Sequence, residues 1–392
     1  MTNNEIISLD HEYIMQTYGR LKIAPVSGRS ATMADADGRE YIDFTSGIGV
    51  NSLGYCDEGW IRAVEEQLGS IQHMSNYFYC DKAGQLAESL VKLSGLKRVF
   101  FGNSGAEANE GAIKLARKYS HDKYGEGRAT VISLVNSFHG RTITTLAATG
   151  QDVFHHYFEP FTEGFKYVPA NDIAALEAAI DGSVCAVIAE PIQGEGGVNE
   201  LDTDYAKELR KLCDERNILL IFDEVQTGIG RTGKFFAFEH FGIKPDILTL
   251  AKGLGGGLPI GAFLAGEKTE NTLGAGMHGS TFGANPVVCA GAVEVVGRVS
   301  KPEFLAEVAK KGEYFREKLL AAKLSKVVGL RGKGMMIGIQ VVGNPKDYLH
   351  DCADAGLLVL TAGKDVIRLL PPLTITYAEI DRGLEILTEI LK

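Results

Sequence analysis

Ile218-Leu219-Leu220-Ile221-Phe222-Asp223-Glu224-Val225-Gln226 and, a little further on, Ile247-Leu248-Thr249-Leu250-Ala251-Lys252-Gly253 decide the fold. Each is a short apolar run that reaches a charged residue within one or two positions of its end. Runs of this length without polar alternation read as strands buried on both faces, as in parallel sheets covered by helices. Working outward, Arg98–Phe101, Val131–Val135 and Val184–Ala189 repeat the pattern. Helical spacing lies between them: Ala112, Leu115, Ala116 and Tyr119 fall at i, i+3, i+4, i+7, and Ala206–Arg216 reads as an exposed helix ahead of a strand. Such alternation predicts βαβ units and an α/β fold with a mostly parallel sheet. The C-terminal part reads differently. A helix-like stretch, Glu303–Ala322, precedes strand candidates at Met336–Val342, Leu357–Thr361 and Val366–Leu370, with a last helix from about Ala378. That is an α+β pattern, and it predicts a smaller second domain beginning near Pro286.

The chain has 392 residues, 45% hydrophobic and 23% charged, which excludes disorder as a whole-chain reading. Its 47 glycines exceed ordinary usage and follow no collagen period, so they point to tight turns and close backbone approaches. Forty basic residues stand against 50 acidic ones, a net charge of −10 without a dense basic run. Nucleic acid and anionic membrane are thereby excluded as main partners. The six cysteines lie far apart with no C-x-x-C pair, so buried or inert thiols in a reducing compartment are expected, and neither a disulfide framework nor a zinc site. No apolar run approaches the length that spans a bilayer, and no secretory signal is visible. A cytoplasmic location is the expectation.

The polar residues at strand ends carry the chemistry, because open α/β sheets bind ligands at the carboxyl ends of their strands. Lys252 is the sharpest of them. Most lysines are solvated, but its apolar and glycine-rich flanks offer neither a solvated helix face nor a carboxylate. A desolvated lysine loses pKa and becomes an amine able to form a Schiff base. Asp223 directly follows apolar residues and needs either a cation, such as a protonated pyridine nitrogen, or neighbouring backbone N–H groups. Ser104-Gly105-Ala106-Glu107 is an S-x-x-E box that caps a helix; its exposed first turn suits a phosphate as well as an ordinary cap. Phe138 taken alone reads as core packing. Arg368, within Val366-Ile367-Arg368-Leu369-Leu370-Pro371-Pro372, asks for a carboxylate. Gly228-Ile229-Gly230-Arg231-Thr232-Gly233 matches G-x-G-x-x-G, but it sits some way past its strand with little room for a helix, so a dinucleotide site is not expected. No H-E-x-x-H or G-x-S-x-G is present, and no metal is expected.

Six ordered stretches, Ser104–Ala108, Ser137–Thr142, Glu190–Gly197, Asp223–Gly228, Ala251–Gly257 and Gly279–Pro286, make the chain resemble the class III (fold type I) pyridoxal-phosphate-dependent aminotransferases. The resemblance runs from Thr17-Tyr18-Gly19-Arg20 to Arg368-Leu369-Leu370-Pro371-Pro372-Leu373. It implies a large domain (46–285) with a mostly parallel seven-stranded sheet, a small C-terminal domain (286–392), and an N-terminal segment (1–45) packing with the latter. It also implies a homodimer with composite active sites and pyridoxal 5'-phosphate as cofactor. Lys252 would carry the cofactor and move the proton, and Asp223 would pair with the ring nitrogen. Gln226 would reach the ring's phenolic oxygen, with Glu224 and Val225 beside it. Phe138 would stack on the ring, Gly105 and Ala106 would cradle the phosphate, and Thr281 would reach it from the neighbouring subunit. Arg141 would hold a substrate carboxylate with Ser280 nearby. Glu195 would pair with Arg368 for the amino donor and release it for the acceptor. Tyr18-Gly19-Arg20 and Ser46–Asn51 imply transfer of the δ-amino group of an acetylated ornithine to 2-oxoglutarate, with ornithine, succinylornithine or 4-aminobutyrate as alternative donors. Where members of the family often carry a further glycine, this chain has Ala284.

Overall fold

A computed structural model describes residues Met1–Lys392. Its centre is a seven-stranded sheet: β1 (Arg98–Gly102), β2 (Thr130–Leu134), β3 (Phe165–Val168), β4 (Val184–Ala189), β5 (Leu219–Asp223), β6 (Ile247–Leu250) and β7 (Gly261–Ala265). The spatial order is β1-β7-β6-β5-β4-β2-β3. All neighbours are parallel except β7, which runs antiparallel to both β6 and β1. Six strands therefore end at the same edge. The five apolar runs all become strands, and the continuous burial along β4, β5 and β6 explains why they lack alternation. Successive side chains point to opposite faces, so Val187 and Leu220 join one apolar cluster while Ile188 and Ile221 join another. The runs did not disclose β3 and β7. Gly261-Ala262-Phe263-Leu264-Ala265 is too poor in β-branched residues to read as a strand, and only pairing on both sides makes it one.

Two smaller sheets join distant parts of the chain. Pro25–Arg29, Thr32–Asp35 and Glu40–Asp43 form an antiparallel meander whose last strand pairs in parallel with Leu357–Leu358. Val327–Arg331, Ile337–Val341, Val366–Leu369 and Leu360–Ala362 form an antiparallel sheet in that order. The single strand expected over Leu357–Thr361 is thus two short strands in different sheets. An apolar run shows that a segment is buried, but not which edge will take its backbone hydrogen bonds. The main apolar cluster runs without a break from Ile132 and Leu248 to Ile339, Ile367 and Leu387. Helix Pro286–Val299 packs on helices Glu58–Leu68 and Asp81–Ser94. Ala284, just before it, has φ +61°, a left-handed conformation that glycine adopts more cheaply. No helix is long and apolar enough to cross a membrane.

Candidate active site

The carboxyl ends of the parallel strands open into a cavity of about 450 Å³, whose walls include Gly105, Ala106, Phe138, Arg141, Glu195, Asp223, Val225, Gln226 and Lys252. Residues scattered over more than a hundred positions meet there because each one follows a strand of the same sheet.

Lys252 lies just past β6 with φ +43°, a conformation in which a lysine is strained. Its ammonium has no partner among the chain's ion pairs, the nearest charges being felt only through space. Burial is the main influence, and it pulls the lysine below its ordinary pKa against the opposing field of Glu195. The site thus contains an amine that is cheap to deprotonate and faces a cavity.

Asp223, the last residue of β5, is held on three sides. Asn109 Nδ2 donates to Oδ2 at 2.7 Å, His139 Nδ1 lies 2.7 Å from the same oxygen, and the Val225 N–H donates to Oδ1 at 3.0 Å. Asn109 is itself fixed, since Thr249 Oγ1 donates to its Oδ1 at 2.7 Å and its Nδ2 also reaches the His139 carbonyl. The backbone N–H reading of Asp223 is thus met in part, and its carboxylate still faces the cavity. Sequence reasoning missed Asn109 and His139. His139 sits beside Phe138 in a stretch already singled out, whereas Asn109 is one polar residue on the buried face of a helix and gave no signal. Glu190 was also missed as an individual residue. Its carboxylate accepts from the Phe138 and Gly194 N–H groups, fixing the loop that carries Phe138, and burial raises its pKa above the ordinary range.

Ser104 caps the helix Gly105–Tyr124, its Oγ accepting from the Glu107 N–H at 3.1 Å. The reciprocal arm of the box is displaced: Glu107 takes the Asn103 N–H at 2.6 Å instead of that of Ser104. The first N–H groups of a helix have no intrahelical partner, so those of Gly105 and Ala106 remain available at the cavity wall. Gly105 cannot be replaced cheaply, because a Cβ there would lie 2.8 Å from Val225 Cγ1.

Arg368 is almost wholly buried and forms a two-pronged pair with Glu195, Nη1 to Oε1 at 2.6 Å and Nη2 to Oε2 at 3.1 Å. The carboxylate that its sequence context asked for is Glu195. Burial alone would raise the Glu195 pKa, but Arg368, helped by Lys252 and Gln226, holds the carboxyl below its ordinary value. Gln226 bridges the pair, its Oε1 accepting from Arg368 and its Nε2 donating to Glu195. Arg141 forms no ion pair; its guanidinium lies 4.0 Å from the Phe154 ring centroid and 5.5 Å from that of Phe138.

Three expected residues lie outside this chain's own cavity, two of them, Ser280 and Thr281, on the loop expected to serve a neighbouring subunit. The Glu224 carboxylate points away from the cavity and accepts from the Ala237 and Phe238 N–H groups at 2.6 and 2.8 Å, because successive residues at a strand end face opposite ways. Thr281 is exposed on a loop outside this chain's cavity. Ser280 lies on the same loop and is tied to Asn103 Nδ2 through its Oγ. The Gly228–Gly233 stretch forms successive turns, with φ near +80° at Gly230 and Gly233, and opens no α-helix.

A parallel sheet whose strand ends bring a free amine, an anchored carboxylate and uncapped helix N–H groups to one cavity suits a phosphorylated pyridine aldehyde. Residues 13–391 match the aminotransferase class-III family, and the chain belongs to it. It is therefore a pyridoxal-phosphate-dependent aminotransferase of fold type I. Over its whole length it is 54% identical to the acetylornithine aminotransferase of Haemophilus ducreyi, covering 99% of that protein. It is 47% identical to that of Methanocaldococcus jannaschii, again over its whole length and 98% of the relative. Among solved structures, the ornithine aminotransferase of Toxoplasma gondii superposes with a TM-score of 0.95 at 34% identity, over 100% of this chain and 95% of that one. The N-acetylornithine aminotransferase of Stenotrophomonas maltophilia does so with a TM-score of 0.85 at 38% identity, over 98% of each chain.

Proposed function

We propose that the chain transfers the δ-amino group of N2-acetyl-L-ornithine to 2-oxoglutarate, giving N-acetyl-L-glutamate 5-semialdehyde and L-glutamate, as a step of arginine biosynthesis in the cytoplasm. The single observation that carries the donor is end-to-end identity with relatives named for it; fold similarity alone extends equally to ornithine enzymes. The residues present fit pyridoxal phosphate. When bound, it supplies an electron-accepting ring and an aldehyde carbon for the amino group. Lys252 would hold it covalently and, once displaced by the donor's amino group, take the proton from the donor's Cδ. The lowered pKa of Lys252 supports that role, since a base works best when it is unprotonated near the working pH. Asp223, held in place by the donors from Asn109 and Val225, would pair with the ring nitrogen. The free N–H groups of Gly105 and Ala106 would bind the phosphate, and Phe138 would cover the ring.

Arg141, without an ion pair in this chain, would bind the carboxylate at the far end of either substrate. Arg368 would be kept from the donor by Glu195 and released to 2-oxoglutarate, whose second carboxylate needs a cation. We also propose that two copies pair, so that Thr281 of one serves the phosphate held by the other. The exposed Tyr77, Phe78, Tyr79 and Phe282 support this, and Asn76 ties their loops by donating to the Ser280 and Gly283 carbonyls. Residues 46–285 would form the cofactor domain. Pairing of Glu40–Asp43 with Leu357–Leu358 supports grouping 1–45 with 286–392. The test is a panel of amino donors with 2-oxoglutarate, following glutamate. Acetylornithine should give the highest kcat/KM; a higher value for ornithine, succinylornithine or 4-aminobutyrate would overturn the donor assignment.

A further inference from the structure

Arg231 belongs to the glycine-containing stretch, Gly228–Gly233, that opens no α-helix. It is 2% exposed, has no carboxylate partner, and its Nη2 makes no hydrogen bond. A buried guanidinium without an anion is costly, and burial pushes its pKa well below the usual arginine value. What it does hold is backbone. Its Nη1 donates to the Pro371 carbonyl at 2.5 Å and to the Met335 carbonyl at 3.1 Å, and the Met335 N–H donates back to the Arg231 carbonyl at 2.9 Å. The two segments touch so closely that a Cβ on Gly334, at φ +54°, would lie 2.5 Å from the Thr232 carbonyl carbon.

Pro371 lies two residues beyond the strand Val366–Leu369, which carries Arg368. Earlier in the same loop as Arg231, Gln226 Oε1 accepts from Arg368 Nη1 at 3.0 Å. The carbonyls and N–H groups around Pro371 are laced as well: Ser46 Oγ donates to the Leu370 carbonyl, the Leu370 N–H to Phe44, and the Leu373 N–H to Ser52. Among these ties Arg231 alone links Pro371 to the loop that begins at Asp223 and Gln226.

We infer that Arg231 is a positioning residue for substrate specificity, fixing the end of the Arg368 strand so that Arg368 can pass between Glu195 and the second carboxylate of the acceptor. This inference rests on the proposed role of Arg368. Holding such groups in place matters because displacement by about 1 Å can cost up to 10²-fold in rate. Arg231→Met keeps the volume and removes the charge and its donors, a change that buried sites often tolerate. Single-turnover kinetics on the holoenzyme should show the 2-oxoglutarate half-reaction slowed about tenfold or more and the acetylornithine half-reaction less than about twofold. Binding of glutarate, which has both carboxylates and nothing to react, should weaken in parallel. Arg231→Lys, which retains one cationic donor, should show a smaller bias of the same sign, and it can be read by itself if the Met variant does not fold. The double variant with Arg368→Ala should be no slower on 2-oxoglutarate than Arg368→Ala alone. Equal loss in both halves, no loss in either, or additive losses in the double variant would overturn the role of Arg231. Equal loss in both halves for Arg368→Ala itself would overturn the reading on which it rests.

Discussion

The site is assembled from two regions of opposite construction. Lys252, Asp223, Phe138 and the Gly105–Ala106 turn all follow strands of one parallel sheet, so a single architectural rule brings them to one edge. Arg368 arrives from an antiparallel sheet near the other end of the chain and bonds directly to Glu195 and Gln226 on the cavity wall. The first region is fixed by burial within one sheet; the second joins the site through an ion pair that closes between two elements. In the proposed reaction, chemistry common to every substrate would fall to the region fixed by the sheet, and discrimination between substrates would fall to the region closed by the ion pair.

That contrast can be broken at its stronger side first. Lys252→Ala should lower turnover by at least roughly 10²–10⁴-fold through the lost proton transfer alone, and should abolish borohydride trapping of the cofactor on the chain. Near-normal turnover by this variant would remove Lys252 from the chemistry. On the other side, Glu195→Ala permanently removes the carboxylate paired with Arg368. Preference should shift by about tenfold towards glutamate-like donors and away from acetylornithine, in keeping with a partly desolvated pair worth ~1–3 kcal/mol. An unchanged ratio of the two donors would mean that the ion pair has no part in selection.

The smallest expected effect concerns stability. Burial holds Lys252 below its ordinary value of 10.5, to which it returns on unfolding. Between those two values the unfolded chain binds more protons, so raising the pH through that window stabilises the folded state. Cofactor-free Lys252→Met has no such group. Its melting temperature should exceed that of the parent by most below the window, and the difference should shrink as the pH approaches 10.5. A difference independent of pH would mean that Lys252 is not desolvated in the folded chain.

Much of this is legible in the sequence alone. The five apolar runs announced the parallel sheet because strands buried on both faces have no polar alternation to obscure them. The charged residues ending two of them marked Asp223 and Lys252, since an unpaired charge beside so much apolar sequence demands a reason. Arg368 likewise asked for a carboxylate, although only the ordered motifs suggested Glu195. Other features could be decided by the tertiary structure alone. The Leu357–Thr361 run divides between two sheets because its backbone partners come from residues near Ile42 and near Ile367. Asn109 and His139 become parts of the site only when a helix and a loop are packed beside β5. Glu224 turns away although its neighbours face the cavity, and Arg231 finds carbonyls where a sequence reader looks for an anion. Local sequence fixes which groups must be buried and which need a partner, through hydrophobicity and charge. The identity of the partner depends on contacts between residues far apart in the chain, and those exist only once the sheets have packed.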